Sequence, residues 1–184
     1  MAESDVTASQ LLLAEYERLK EEQKVRIGFR DNLIYATLAS MAGVIAAALS
    51  AKGHANLLLL LPPVTTLLGW TYLVNDEKVS AIGRYIRDDL GSRLAATVNT
   101  GVFGWEIAHR SDPRRRTRKV LQLAVDLGGF CAPALTAIVI YWANGPLRWP
   151  FVVVSIIEAA AVCGLAVEII RYADLGVGAT APRR

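Results

Sequence analysis

The chain has 184 residues, 53% of them apolar, with a mean hydropathy of +0.34 and a formal net charge of +3. That apolar content is high for a soluble domain and excludes an intrinsically disordered chain. The pI near 9.0 does not point to nucleic acid, because most basic residues flank apolar stretches, where topology and anionic lipid account for them.

Four apolar stretches cover residues 33–51, 57–74, 120–143 and 151–172. Each is close to the ~20 residues that cross ~30 Å of hydrocarbon as a helix. Five Lys and Arg precede the first stretch, one (Lys52) separates the first two, and ten separate the second from the third. Then comes Arg148 alone, and the remaining three (Arg171, Arg183 and Arg184) lie at the tail end. This puts 18 basic residues on one side and two on the other, the sorting that the positive-inside rule produces. The expected fold is all-α: a polytopic membrane protein of the cell (inner) membrane, with four transmembrane helices as two antiparallel hairpins and both termini cytoplasmic. The acidic start (Glu3, Asp5) and the charged segment after it predict an uncleaved first span.

Residues 7–32 read as an amphipathic cytoplasmic helix. Thr7 and Gln10 fit a capping box. Leu12, Tyr16 and Leu19 share a face, and Glu17 with Lys20, Glu21 with Lys24 and Glu22 with Arg26 suit pairing on the opposite surface. The stripe fades where Gln23 takes the next position. The segment is either a solvated helix lying against the protein or an oligomerisation helix. The first span, 33–51, carries Ala39, Gly43 and Ala47 at the four-residue spacing that lets helix backbones approach closely in lipid. The second, 57–74, contains Pro62 and Pro63, expected to bend its outer half, and Trp70 and Tyr72, which suit the inner interface.

Residues 75–119 form a cytoplasmic helical segment. Asn75 or Asp76 caps a new helix there, or the second span continues. Val79, Ile82, Ile86, Leu90 and Leu94 make an apolar stripe, Gly91 weakens it, and Asn99 to Gly101 mark a turn. Phe103 and Trp105 suit interfacial anchoring, and Asp112 with Pro113 suits a helix start. The third span, 120–143, repeats the small-residue device with Ala124, Gly128 and Ala132, and Gly128, Gly129 and Pro133 make it bendable. Tyr141, Trp142 and Trp149 bracket the next outer loop. The fourth span, 151–172, carries Ala160 and Gly164. Residues 173–184 read as a flexible tail.

Three carboxylates fall within apolar stretches: Asp126, Glu158 and Glu168. Each costs ~2.5–3.5 kcal/mol if charged at the bilayer centre. They form either a proton or small-cation site or structural groups: Asp126 and Glu168 pair with Arg118, Lys119 or Arg171 or hold a proton, whereas only Lys52, His54 or Arg148 can reach Glu158, and only from outside. The run Arg114, Arg115, Arg116, Arg118 and Lys119 surrounds a helix start, where it binds anionic headgroups or an acidic partner. Catalysis finds little support. His54 and His109 fall on opposite sides of the membrane, no metal-ligand spacing or phosphate loop occurs, and Cys131 and Cys163 read as packing thiols. No cofactor is expected. The functional expectation is a non-enzymatic membrane interaction or effector module that self-associates and meets a cytoplasmic protein partner. The alternative is a proton or small-cation channel or transporter that uses Glu158 and Asp126.

Overall fold

The computed structural model describes residues 7–50, 55–103 and 114–173, and among these it is all-helical. Helix α1 (Ala8–Ser50) runs unbroken for 43 residues, about 65 Å. Its start is the expected capping box: the Thr7 backbone N–H donates to Gln10 Oε1 at 2.9 Å and the Gln10 N–H to Thr7 Oγ1 at 3.3 Å. A 3-10 turn (Ala55–Leu60) leads into α2 (Leu61–Tyr85), and a wide π-turn (Ile86–Leu90) joins α2 to α3 (Gly91–Val98). Helix α4 (Arg115–Asp126) passes through a second π-turn (Leu127–Cys131) into α5 (Ala132–Asn144), and α6 (Trp149–Tyr172) follows. Four helical stretches are long and apolar enough to cross a membrane: α1, Ala55–Thr97, Arg116–Asn144 and α6.

The helix breakers are absorbed rather than obeyed. Pro62 and Pro63 stand in the first turn of α2, directly after the 3-10 turn, where their missing donors cost little. Asn75 and Asp76 cap nothing, because α2 continues through them. Pro133 cannot donate to the carbonyl four residues back, and its ring crowds that carbonyl. The chain widens just before it, so that the Ala132 N–H reaches Leu127 O. The other wide turn fits the spacing of the apolar stripe. Ile86, Leu90 and Leu94 are four apart, and each four-residue step overshoots an α-turn by ~40°. A turn that holds more residues pulls the face back into line.

The chain divides into two compact units, one built from the residues up to Asn32 with Val74–Pro113, the other from Leu33–Leu73 with the residues from Arg114 on. In the first, Leu12, Ile86, Leu90 and Leu94 form the core, with Tyr16, Leu19, Ile82 and Phe103 packed around it. Phe103 is no lipid anchor: it stacks on Tyr16 with centroids 4.4 Å apart. It also closes over Gly91, where a Cβ would stand 3.1 Å from Ile86 O and 3.3 Å from Phe103 Cδ2. The glycine that was expected to weaken this helix is what lets the aromatic ring sit down. Asn99 ends α3 in the left-handed conformation (φ 51°), as the expected turn requires. Trp105, His109 and the Asp112–Pro113 start lie outside the described residues, as do Lys52, His54 and the tail after Ala173.

In the second unit the core comprises Leu33, Tyr72, Leu73, Phe130, Cys131, Ala134, Val162, Leu165 and Ile169. Tyr72 does not face the membrane interface. It is buried against Phe130, ring centroids 5.1 Å apart. Tyr141 is fully buried as well, with edge contacts to Trp142 and Phe151. Trp70 and Trp149 keep exposed rings. The tightest helix contact is made at Gly69, where a Cβ would meet Leu165 Cδ2 at 2.8 Å and Phe130 Cγ at 2.9 Å. Gly28, by contrast, has open space around it in mid-helix. The same substitution therefore has opposite signs at the two glycines. In detergent unfolding experiments, Gly69→Ala costs about 1–3 kcal/mol by overpacking, whereas Gly28→Ala gains about 0.5–1 kcal/mol from helix propensity.

Candidate functional site

The three carboxylates have three different surroundings. Glu168 is tied to its own helix: the Arg171 guanidinium donates to Glu168 Oε1 at 2.9 Å across three residues. Arg171 was among the partners expected for it. Asp126 ends α4, is 7% exposed and is engaged in a polar interaction. Glu158 lies in mid-α6. Its Oε2 is buried and has no hydrogen-bond partner. Among the described side-chain oxygens and nitrogens, Thr66 Oγ1 shares that condition.

Apart from Thr66, several hydroxyls of the apolar helices are already bonded. Thr37 donates to Leu33 O at 2.8 Å, Thr65 to Leu61 O at 3.0 Å and Thr71 to Leu67 O at 2.9 Å. Such bonds return a hydroxyl to its own helix. Ser155 accepts the Trp142 indole N–H at 3.1 Å. No continuous polar stripe connects them.

The small residues do not pack the chain together. Ala39, Gly43, Ala47, Ala124, Gly128, Ala132, Ala160 and Gly164 are all exposed. A Cβ placed at Gly43, Gly128 or Gly164 meets nothing within 4 Å. The buried stripes run along other faces, and the close-packing glycine, Gly69, was missed because its role depends on Phe130 and Leu165 arriving from other helices.

The basic run opens the third apolar helix. Arg114, Arg116 and Arg118 are exposed, and Lys119 donates to Gln122 Oε1 at 3.4 Å. The side chain of Arg115 lies outside the described residues. Described His, Cys, Asp and Glu side chains do not gather into a group able to hold a metal ion.

A second polar array lies in the other unit, along α1 and the helical stretch from Val74. Residue numbers rise along one strand of contacts and fall along the other, so the two segments run antiparallel. Glu15 Oε1 accepts from the Tyr85 hydroxyl at 2.6 Å, and the Gln23 amide donates to Val79 O at 3.2 Å. Asn75, 5% exposed, donates to Arg26 O at 2.6 Å, and Arg30 donates to Asp76 Oδ1 at 2.9 Å. The apolar stripe of α1 thus gives way to a polar ladder where Gln23 interrupts it. On the outer surface the expected Glu22–Arg26 pair forms through two donors, at 2.8 and 2.6 Å. Beside it an open groove is lined by Arg18, Glu21, Val25, Arg26, Phe29 and Asn75.

No known family model, no curated protein and no solved structure matches this chain.

The Tyr85–Glu15 contact has a pH signature. The hydrogen bond to Glu15, then burial, raises the phenol above its usual 10.0. A raised acid favours its neutral form when folded, so the contribution is complete below pH 10.0 and fades as pH climbs through the raised value. In tyrosinate absorbance the Tyr85 phenol should titrate late in the wild type and move down toward 10.0 in Glu15→Gln, as the difference between the two titration curves reads.

Proposed function

We propose that this chain is a multi-pass protein of the cell (inner) membrane, with its four spans as two antiparallel hairpins and both termini cytoplasmic. In this reading it works as a non-enzymatic interaction module that self-associates in the bilayer and presents cytoplasmic helices to a protein partner. One observation carries it: the protein leaves most of its apolar surface uncovered. In the most apolar window of α1 only 11% is buried, and the other three windows reach 39%, 28% and 22%. Leu49, Val139, Ile156 and Ile157 are between 64% and 83% exposed. Monomeric soluble proteins rarely show apolar patches of that extent, whereas hydrocarbon accepts them at no cost.

The outward position of all eight small residues supports self-association. Without a hydrophobic drive between helices in lipid, close backbone approach at such residues is what favours pairing. The basic run Arg114 to Lys119 suits anionic headgroups, worth ~1 kcal/mol per charge near the surface. The sorting of 18 basic residues against two supports the threading. Reporter tags fused at His54 and at Gly101 should therefore respond from opposite compartments. Crosslinking in native membranes should yield higher-order species, and Gly43→Ile with Gly164→Ile should reduce them while helicity in detergent stays the same. Tags that report one compartment overturn the threading. Crosslinking that returns monomers and no second protein overturns the interaction reading.

The buried, unpartnered oxygen of Glu158 favours a second reading, transport of a proton or small cation through Glu158 and Asp126. In liposomes, flux that disappears with Glu158→Gln supports it, and no flux under any gradient removes it.

A further inference from the structure

The buried positions of α6 are Ser155, Val162, Leu165 and Ile169. Glu158 falls between the first two at helical spacing, so it lies on the same stripe. Two contacts fix what faces it. Above, Ser155 accepts the Trp142 indole N–H, and below, the Cys131 thiol approaches Val162 O at 4.0 Å. The facing part of the third apolar helix is therefore the stretch from Cys131 to Trp142. Its buried members between those two are Ala134, Ala137 and Tyr141. Two of them present only methyl groups. The Tyr141 hydroxyl is turned to Pro146 O at 3.3 Å. The second apolar helix meets α6 where Leu165 covers Gly69.

Among the described residues no counter-charge faces Glu158; Lys52 and His54, on the loop between the first two apolar stretches, lie outside them. From Val120 to Val167 the one basic residue is Arg148, ten residues from Glu158, or ~15 Å of helix. Residues 33–50 and 55–74 contain no Asp, Glu, Lys or Arg. The titratable groups on the packed elements are Cys131, Tyr141 and Tyr72, and each is engaged elsewhere. Asp126 lies beyond the Cys131 contact, away from Glu158 along the helix, and Glu168 is held by Arg171. A metal cation would need several oxygens about it; the hydroxyls of Ser155 and Thr65 are already bonded, and Thr66 Oγ1, the other buried atom without a partner, is too little to complete such a set.

The one ligand that a solitary carboxyl can take without further donors is a proton. We propose that Glu158 is a proton-binding site of the helix bundle, distinct from Asp126 and Glu168. It deepens the second reading above but does not require transport, since a protein that moves no ions can still carry the site. Flux and protonation therefore fail separately.

The probe is dicyclohexylcarbodiimide, an apolar reagent that consumes protonated carboxyls. The acid proton passes to one carbodiimide nitrogen and the carboxyl oxygen bonds to the central carbon. The resulting O-acylisourea rearranges to a stable N-acylurea by acyl transfer from oxygen to nitrogen, with no leaving group and no redox change. Treat the full chain in liposomes of zwitterionic lipid, then map adducts by mass spectrometry. The expected result is an adduct at Glu158, several-fold above that at Glu168, whose yield falls as the buffer pH is raised. Infrared spectra should show a protonated-carboxyl C=O band that shifts in heavy water and is lost in Glu158→Gln. No adduct at Glu158, a yield independent of pH, or equal labelling of Glu168 overturns the proposal. Should Glu158→Gln misfold, the wild-type adduct map and the heavy-water shift still decide.

Discussion

A peptide group in hydrocarbon has no water to bond, so every backbone donor and acceptor must be satisfied within the chain. Under the proposed membrane placement, that constraint bears on the helix breakers of the apolar stretches. Pro62 and Pro63 and the Gly128-Gly129…Pro133 set would each license a loop in water. Here the chain tightens to a 3-10 turn before the first pair and forms a π-turn that takes in both glycines before Pro133; a second π-turn precedes Gly91 in the other unit. Each wide turn carries a bond to the fifth residue back: Gly91 N–H to Ile86 O and Ala132 N–H to Leu127 O. The irregularities adjust the direction and face of the helices while the backbone remains bonded. The side chains follow the same rule, with Thr37, Thr65 and Thr71 each donating back to the turn before them.

Once backbone bonding is internal, what remains to be decided is which faces meet. The second unit settles this with bulk rather than with small-residue stripes. Gly69 is the notch into which Phe130 and Leu165 fit, and Tyr72 and Tyr141 turn inward beside them. The first unit settles it with polar contacts, which carry directional information that apolar faces lack. Asn75 on the Arg26 carbonyl and Arg30 on Asp76 fix the register of two segments far apart in sequence. A buried amide left without its partner costs ~1–3 kcal/mol, so a slip of one residue is penalised there in a way that a slip between leucines is not.

This difference also accounts for what was legible in the sequence. Local, polar and periodic features came through: the Thr7–Gln10 box, the Glu22–Arg26 pair, the Ile82-to-Leu94 stripe, the turn at Asn99, and the four apolar stretches themselves. The assignments of Tyr72, Tyr141 and Phe103 as interfacial residues did not survive. In a water-soluble helix the apolar face is the buried face, and periodicity reveals it. In a helix apolar all round, the faces toward lipid and toward protein have the same composition, so periodicity is silent. Gly69 was invisible for this reason, since its role depends on Phe130 and Leu165 arriving from other helices. The polar ladder was invisible because Gln23 and Asn75 look like interruptions until their partners, both backbone carbonyls, are known.

The carboxylates illustrate the same limit and what lies past it. All three looked alike as acids inside apolar stretches, yet distance from the basic ends separates them. Glu168 is three residues from Arg171 and takes the guanidinium. Asp126 closes a helix whose first turns carry Arg116, Arg118 and Lys119. Glu158 is in the one part of α6 that the charge sorting has stripped of cations. Under the proposed threading this has a single cause. Orientation in the membrane demands that Lys and Arg gather on one side, and the middle and outer half of a helix of 24 residues then has only Lys52 and Arg148 on its side. Among the described residues no cation pairs with the acid on the buried stripe at that level. The charge pattern that threads the protein is thus the same pattern that, under the proposal above, leaves a proton to neutralise Glu158.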